Sequence, residues 1–456
     1  MLRLFRHYIP VTLLAAICAD IGVILLAVVL TGRLTPWSGQ GAVWPKALVL
    51  TALALMCLYI AELYKTGVYF SRREVTARLL LALTGTATAM GVVGFASPAL
   101  GFSRLAFAHA LVLTAVGLSG WRLTWVALRP AERLRQRVLV LGVGPGAAQI
   151  AALRDSAPQP FSIIGFIDDT PDAGDHIPDG LALLGKTEDL LNLVDELQPD
   201  LVLVALTDMR GALPLEELLE CRLRGLAVQD WATFYEKQTG KVFVRNLRPS
   251  WLIFSDGFVK NQLTQTVKRA TDLVLAAVGL VACLPAMAVI ALAIKLDSRG
   301  PVLFRQERVG QHGRIFVVNK FRSMTVGAER TGAVWAVPND PRVTRIGRWL
   351  RRLRLDELPQ FINVLVGDMS FIGPRPERPE FVRALQRQIP FYMERHSVKP
   401  GITGWAQVRH QYAASIEDSL EKLQYDLYYV KNLSPLLDLL ILLSTIQVVL
   451  FARGSR

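Results

Sequence analysis

The chain has 456 residues, 52% of them apolar and only 20% charged, with 51 Lys and Arg against 38 Asp and Glu for a net charge of +13. This composition excludes a disordered chain, and four cysteines without paired spacing exclude a disulfide scaffold and a Cys-ligated zinc site. The length predicts two to four units of about 100–200 residues each, and basic residues that flank apolar segments point to a membrane surface and not to nucleic acid.

Residues 1–130 hold 11 Lys and Arg but only three acids, Asp20, Glu62 and Glu74. Four apolar runs, roughly 9–31, 45–64, 79–102 and 105–128, are each about 20 residues or longer, enough to cross ~30 Å of hydrocarbon at ~1.5 Å per residue. The first run follows Arg3 and Arg6 but is too long for a signal-peptide core, so it reads as a retained anchor. Lys65, Arg72, Arg73 and Arg78 crowd one loop, and Arg129, Arg133, Arg135 and Arg137 crowd the exit from the fourth run. The positive-inside rule then puts both ends of the four-helix region in the cytoplasm. Asp20 falls in mid-membrane with no evident basic partner; it reads either as a functional acid or as a bundle-facing acid that helps the helices associate.

Residues 131–230 change character. Arg137–Gly142, Ser162–Ile167 and Leu201–Leu206 read as buried parallel strands, and 147–155, 187–197 and 215–224 have helical periodicity. The series predicts a doubly wound α/β sheet, a Rossmann-like module. Its first turn places Gly142, Gly144 and Ala147 in a G-x-G-x-x-A register, which lets backbone N–H groups approach a pyrophosphate. Asp168 and Asp169 end the second strand, near where an acid would hold a ribose. No catalytic constellation follows the turn, so it reads either as a cofactor-binding turn or as a structural or regulatory module. A linker over 231–262, with Trp231, Phe234, Tyr235, Trp251, Phe254 and Phe258, reads as a docking segment.

Leu273–Ile294 is 22 residues without a charge. Pro285 near its middle removes a backbone hydrogen bond and clashes with the preceding turn. Lys260, Lys268 and Arg269 flank one side, and Lys295, Arg299, Arg305 and Arg308 the other. Basic flanks on both sides fit a helix over about 270–296 that enters one leaflet and returns; the alternative is a fifth span.

Asp340 reads as the N-cap of a helix with Pro341 at its first position, after Asn339. Arg342, Arg345, Arg348, Arg351, Arg352 and Arg354 then recur at spacings that place most of them on one stripe, which reads either as a site for an anion such as a lipid headgroup or a nucleotide diphosphate or as a solvated basic face. The stripe runs into Asp356 and Glu357, read as the start of an amphipathic helix closed by Gly367. Lys320, Arg322 and Arg375 add basic company. The combination points to phosphoryl transfer, with one carboxylate attacking phosphorus and the other holding Mg2+ against a diphosphate. No Walker loop is present, which excludes a P-loop kinase or ATPase. Leu433–Phe451 is apolar but contains Pro435 and Asp438, and reads as an interfacial helix.

Six ordered stretches carry a resemblance: Phe304–Gly310 (FRQERVG), Lys320–Met324 (KFRSM), Asp340–Gly347 (DPRVTRIG), Arg354–Gln360 (RLDELPQ), Asn363–Glu377 (NVLVGDMSFIGPRPE) and Lys399–Val408 (KPGITGWAQV). With them, residues 263–456 resemble the bacterial sugar transferases, the polyprenyl-phosphate phosphoglycosyl transferases with one re-entrant membrane helix. The whole chain is similar to their long form: four transmembrane helices, a Rossmann-like module and an α-rich transferase domain. Leu247–Phe258 looks like the exosortase-associated exopolysaccharide branch. The resemblance implies that a UDP-sugar and undecaprenyl phosphate give undecaprenyl-diphospho-sugar and UMP at the inner membrane, with the transferase domain cytoplasmic. It implies Asp356 as nucleophile through a covalent phosphosugar intermediate, Glu357 as Mg2+ ligand, and Lys320, Arg322, Arg354, Arg375 and Glu377 around substrate phosphate. Pro285 matches the family's helix-breaking proline, although Leu284 precedes it where short members often have Ser. A homodimer is one form left open. Two rivals stand beside this reading, an NAD-dependent nucleotide-sugar enzyme using Gly142–Ala147 and a non-enzymatic scaffold for polysaccharide assembly.

Overall fold

The computed structural model describes residues 2–4, 7–9, 11–35, 43–64, 72–128, 135–156, 160–171, 173–177, 180–206, 213–245, 257–258, 261–328, 340–410 and 415–451. Lys65, Arg129, Arg133, Trp251, Phe254, Lys260, Asn339 and most of Leu247–Phe258, all named above, lie outside them. The chain forms two compact units, one made mainly of residues 9–239 and the other mainly of residues 240–456.

The first unit begins with α1 (Val11–Leu34), α2 (Val43–Ile60), α3 (Arg72–Ala96) and α4 (Arg104–Leu128). Each is long and apolar enough to cross a membrane. α1 packs on α4 and α2 on α3, around Ile24, Val28, Leu50, Met90 and Ala110. Leu26, Leu80, Val92 and Val116 face outward, as lipid-facing side chains should. Gly117 lets α4 approach α1, because a Cβ there would lie 2.6 Å from Val23.

Asp20 does have a basic partner, which corrects the expectation. It is fully buried, and Arg122 of α4 donates to it through Nε at 3.3 Å and also through Nη2. Tyr64 Oη donates to the same carboxylate at 2.6 Å and Trp121 Nε1 at 3.2 Å. Arg122 lies inside the fourth apolar run, where the hydrophobic count hides it. A buried charge is tolerable only when paired and hydrogen-bonded, and this one ties α1 to α4 and to the end of α2.

A parallel sheet follows. Its strands are β1 (Gln136–Leu141), β2 (Phe161–Ile167), β3 (Leu183–Gly185), β4 (Leu201–Val204) and β5 (Ala227–Asp230), in spatial order β3-β2-β1-β4-β5. Helices α5 (Pro145–Ser156), α6 (Leu190–Leu197) and α7 (Leu215–Leu223) connect them. The three strands expected from apolar runs form the centre. The two edge strands were missed because β3 is three residues long and the β5 sequence, AVQD, is mixed. Trp231–Thr239, expected in a linker, is a helix, α8, within this unit. Its Phe234 is buried and meets Phe161 of β2 edge to face at 5.0 Å.

The second unit is laid along α9 (Gln262–Asp297). Helix continues through Pro285 for all 36 residues, where an interruption was expected. A proline inside a helix need only remove one hydrogen bond, and most of the apolar surface of α9 is exposed, so that the helix is long and apolar enough to cross a membrane. One cluster joins Ala276, Leu280 and Cys283 to Val318, Phe361 and Val364, and a second joins Met287, Ile290 and Ile294 to Phe321 and Leu350. The antiparallel pair β6 (Leu303–Val309) and β7 (Ile315–Phe321) follows.

The helix expected at Asp340 starts later. Thr344 is the N-cap of α10 (Arg345–Arg352), its hydroxyl accepting from Gly347 N at 2.9 Å. Asp340 instead accepts from Arg342 N at 3.0 Å and from the Arg342 guanidinium, so Arg342 leaves the stripe. Beyond the site lie α11 (Gln360–Val366), the parallel pair β8 (Ser370–Ile372) and β9 (Gly401–Thr403), then α12 (Ile416–Lys431) and α13 (Pro435–Leu450). α13 has 16 residues, and its Asp438 accepts from Lys268 Nζ of α9 at 2.9 Å and from Tyr429 Oη at 2.8 Å.

Candidate active site

Asp356 and Glu357 occupy a single 3-10 turn, Leu355–Glu357. Arg354 precedes it with φ 55°, a left-handed residue that ends α10 and reverses the chain. Pro359 cannot donate a backbone hydrogen bond, so α11 restarts at Gln360 and ends at Gly367 with φ 103°. Leu355 packs with Met287, Ile290 and Ile294 of α9, and Leu358 joins both α9 clusters. The dyad is therefore fastened by flanking leucines where the two halves of α9 meet at Pro285.

Glu357 is 9% exposed and is the electrostatic centre. Arg375 Nη2 donates to its Oε1 at 2.7 Å, and Lys320 Nζ, on β7, reaches the same oxygen at 3.4 Å. Burial acts to raise the Glu357 pKa, but Arg375, Lys320 and Arg354 outweigh it and hold the carboxyl well below the usual carboxylate range. Asp356 goes the other way: burial, then the charge on Glu357, lift it above its ordinary value against the pull of Lys320, Arg351 and Arg375. Burial lowers both Lys320 and Arg354. Attraction to Glu357 holds Arg375 above its usual value. Two adjacent acids thus differ sharply: one is a locked anion, the other a more basic carboxylate.

Arg375 reaches the dyad because two distant segments cross in close contact. β8 and β9 pair in parallel, with Ile372 opposite Thr403, and Gly373 N donates to Thr403 O at 2.8 Å. Glycine is required at the crossing. A Cβ on Gly401 would lie 2.1 Å from Gly373 N, and one on Gly404 would lie 2.1 Å from Gly373 O.

Arg322 was expected at phosphate but is turned away. Its guanidinium donates to Ser298 O and Oγ and to Arg299 O, each at 2.8 Å, and so caps the end of α9. Two residues apart on an extended strand share a face, but Arg322 follows the end of β7, where alternation no longer holds. Glu377 lies 3.9 Å from Arg308 Nη1 and does not touch the dyad in any described contact. Arg351 turns inward, its Nε donating to Ser323 Oγ at 2.9 Å, whereas Arg345, Arg348 and Arg352 are exposed beside Trp349, which is 61% exposed. Sequence reasoning missed the crossing glycines as a positioning device, since nothing local in them announces a contact.

No third His, Cys, Asp or Glu joins the dyad among the described residues. Mg2+ typically takes one or two carboxylates and fills its remaining positions with substrate phosphates and water. Both cationic partners of Glu357 engage Oε1, and a pair of adjacent carboxylates is a donor set that such a shared ion would fit.

The turn at Gly142 is tight as expected, with φ 102° and a Cβ that would lie 2.8 Å from Leu206 N. Gly144 O accepts from Ala147 N at 2.9 Å as α5 begins. Asp168, expected near a ribose, instead accepts from Val143 N of that turn at 2.7 Å and from Thr170 N at 2.8 Å. Burial would raise its pKa, but these bonds and that of the Thr170 hydroxyl lower it. Trp231 packs against Gly146, where a Cβ would lie 2.5 Å from the indole. The anion nearest the glycine turn is therefore the protein's own.

The profile of the bacterial sugar transferase family matches residues 263–452, and that of a CoA-binding domain family matches residues 59–214. A UDP-N-acetylgalactosamine-undecaprenyl-phosphate N-acetylgalactosaminephosphotransferase of Aeromonas hydrophila is 45% identical over 239 residues, 52% of this chain and 56% of its own. An undecaprenyl-phosphate glucose phosphotransferase of Komagataeibacter xylinus is 36% identical over 334 residues, 71% of this chain and 61% of its own. The matches thus span little more than half the length of these two relatives. The exopolysaccharide production protein PSS of Rhizobium leguminosarum bv. phaseoli is 41% identical over 187 residues, 40% of this chain and 93% of its own. Matched over nearly all of that shorter relative, and carrying the dyad and its basic partners within the residues that the family profile matches, the chain belongs to the bacterial sugar transferase family.

Proposed function

We propose that the protein transfers a sugar-1-phosphate from a UDP-sugar to undecaprenyl phosphate, giving undecaprenyl-diphospho-sugar and UMP as the first step of exopolysaccharide assembly. The carrying observation is the split dyad, with Glu357 locked by Arg375 and Lys320 beside a more basic Asp356. A carboxylate oxygen of Asp356 attacks the phosphorus that bears the sugar. The bond from that phosphorus to the UMP oxygen breaks, UMP leaves, and an acyl phosphate joins the sugar phosphate to Asp356. An oxygen of undecaprenyl phosphate then attacks the same phosphorus and frees Asp356. Arg375 and Lys320 stand where charge develops on the transferring group. Glu357 would hold Mg2+, which when bound would offset the charge of the donor diphosphate. One anhydride replaces another, so the work of the site is positioning and charge neutralisation.

The relatives differ in the sugar they are named for, galactosamine derivative or glucose, so the donor is left as a UDP-sugar. The chemistry takes place on the cytoplasmic face of the inner membrane, where nucleotide sugars are found. Support comes from α9. Near its start Arg269 donates to Val364 O and Leu365 O, and Asp272 accepts from Phe371 N. At its end Asp297 accepts from Ile346 N, and Arg322 caps the last carbonyls. A 36-residue helix spans about 54 Å if straight and is long and apolar enough to cross a membrane; the ties of both ends to one unit are what favours entry and return through one leaflet over a crossing.

UMP release by the purified protein with undecaprenyl phosphate and a panel of UDP-sugars tests the reading. One donor should give turnover, Asp356→Asn should abolish it with folding retained, and EDTA should stop it. No UMP from any donor would favour the scaffold reading, and an NADH-coupled signal would favour a dehydrogenase.

A further inference from the structure

The loop that carries Arg375 is held in an unusual way. Pro374 and Pro376 have no N–H to give, so the segment is fixed through its carbonyls. Pro374 O accepts from Gly401 N at 2.9 Å, Arg375 O from Arg395 Nη2 at 3.0 Å, Pro376 O from Arg308 Nη1 at 3.0 Å and Glu377 O from Val309 N at 2.9 Å. Four consecutive carbonyls have named donors. One of those donors, Arg395, grips the residue whose own guanidinium holds Glu357.

Arg395 is itself over-determined. Its side chain is 4% exposed and lies in the six-residue 3-10 helix Tyr392–Ser397, between α11 and α12. Nε and Nη2 both donate to Asp426 Oδ2, at 2.9 and 2.7 Å, and Nη1 donates to Tyr392 Oη at 3.1 Å. Asp426, 2% exposed, sits on α12 between the core residues Leu423 and Leu427. A buried ion pair is expensive to desolvate, and an apolar pair of similar volume often serves stability as well or better. Packing alone therefore does not account for a charge pair here. What an apolar pair lacks is the donor on Arg375 O.

We propose that Arg395, oriented by Asp426, is a positioning residue for sugar-phosphate transfer: it fixes the backbone of Arg375 so that the Arg375 guanidinium stays on Glu357 and beside the transferring phosphoryl group. It touches neither dyad acid nor, on this account, substrate. The inference rests on the proposed transfer reaction and adds a residue to it.

The test uses the full-length protein and UMP release with the donor concentration varied. Arg395→Lys keeps the charge but loses the fork, and should lower kcat at least about tenfold with donor KM changed less than about threefold, since the loss falls on transition-state charge. The same substitution in an Arg375→Lys background should cost less than about twofold, because the two act as one unit. The double variant Arg395→Met with Asp426→Leu should melt at or above the wild-type temperature and still lose kcat at least about tenfold. Full kcat in that folded double variant, or equal losses with and without Arg375, would overturn the positioning role while leaving the transfer reaction standing. No UMP from the wild-type protein with any donor would overturn both.

Discussion

At the scale of single residues, the chemistry depends on two neighbouring carboxyls being driven apart in acidity. Asp356 must be ionised to attack, and its pKa is raised by burial and by Glu357. The rate should therefore rise with pH along an acid limb whose midpoint lies above the ordinary Asp value of about 3.9. Lys320 is lowered by burial, so the alkaline limb should fall below the ordinary Lys value of about 10.4. A pH profile of kcat/KM measures both, and Lys320→Arg should move the alkaline limb upward; an unmoved limb would remove Lys320 from the titrating site. Glu357 has the opposite sign. Its folded pKa is depressed, so its contribution to stability is present above the unfolded value of about 4.3 and is lost as pH falls through the folded one. Much of this was legible in the sequence, because Asp356 and Glu357 adjoin each other amid a crowd of arginines. Arg395 and Asp426 were not, since they meet across 31 residues with no local pattern. Arg322 was visible as a charge, but charge does not say which way a side chain turns. Arg122 disappeared into an apolar average.

Elements were legible where one long period ruled. α1 to α4 follow from apolar length, and β1, β2 and β4 from short β-rich runs. β3, β5 and α8 were missed because their sequences are short or mixed and tertiary packing decides them. The misplaced helix start at Asp340 has a related cause, since Asp340 and Arg342 satisfy each other locally and Thr344 takes the cap. The β8–β9 crossing is an element-scale device that a single methyl should break. In Gly401→Ala the new Cβ meets backbone that cannot give way, at 2.1 Å from Gly373 N. Overpacking of this kind costs about 1–3 kcal/mol or more, and thermal unfolding should show the loss together with reduced UMP release. A variant with unchanged melting would mean the strands separate without penalty. The course of α9 is also testable. In a background lacking the four native cysteines, Leu263→Cys and Leu296→Cys place thiols at exposed positions near its two ends. A membrane-impermeant maleimide should label both from the cytoplasmic side, whereas a crossing helix would expose only one.

On the scale of the whole molecule, one chain joins membrane helices, a parallel α/β sheet and a transferase unit organised along α9. The membrane part is held by apolar packing and by the satisfied charge cluster at Asp20. The sheet turns its own Asp168 onto the glycine turn, and the transferase unit carries the acids and bases that the proposed chemistry needs. The central claim is that the sugar phosphate passes through a bond to Asp356. Intact mass measurement after mixing the protein with its UDP-sugar donor, with undecaprenyl phosphate left out, tests it most directly. The account predicts release of UMP up to one equivalent and a mass gain of one sugar phosphate mapped to Asp356, absent in Asp356→Asn. UMP release that requires both substrates, with no adduct under any quench, would contradict it.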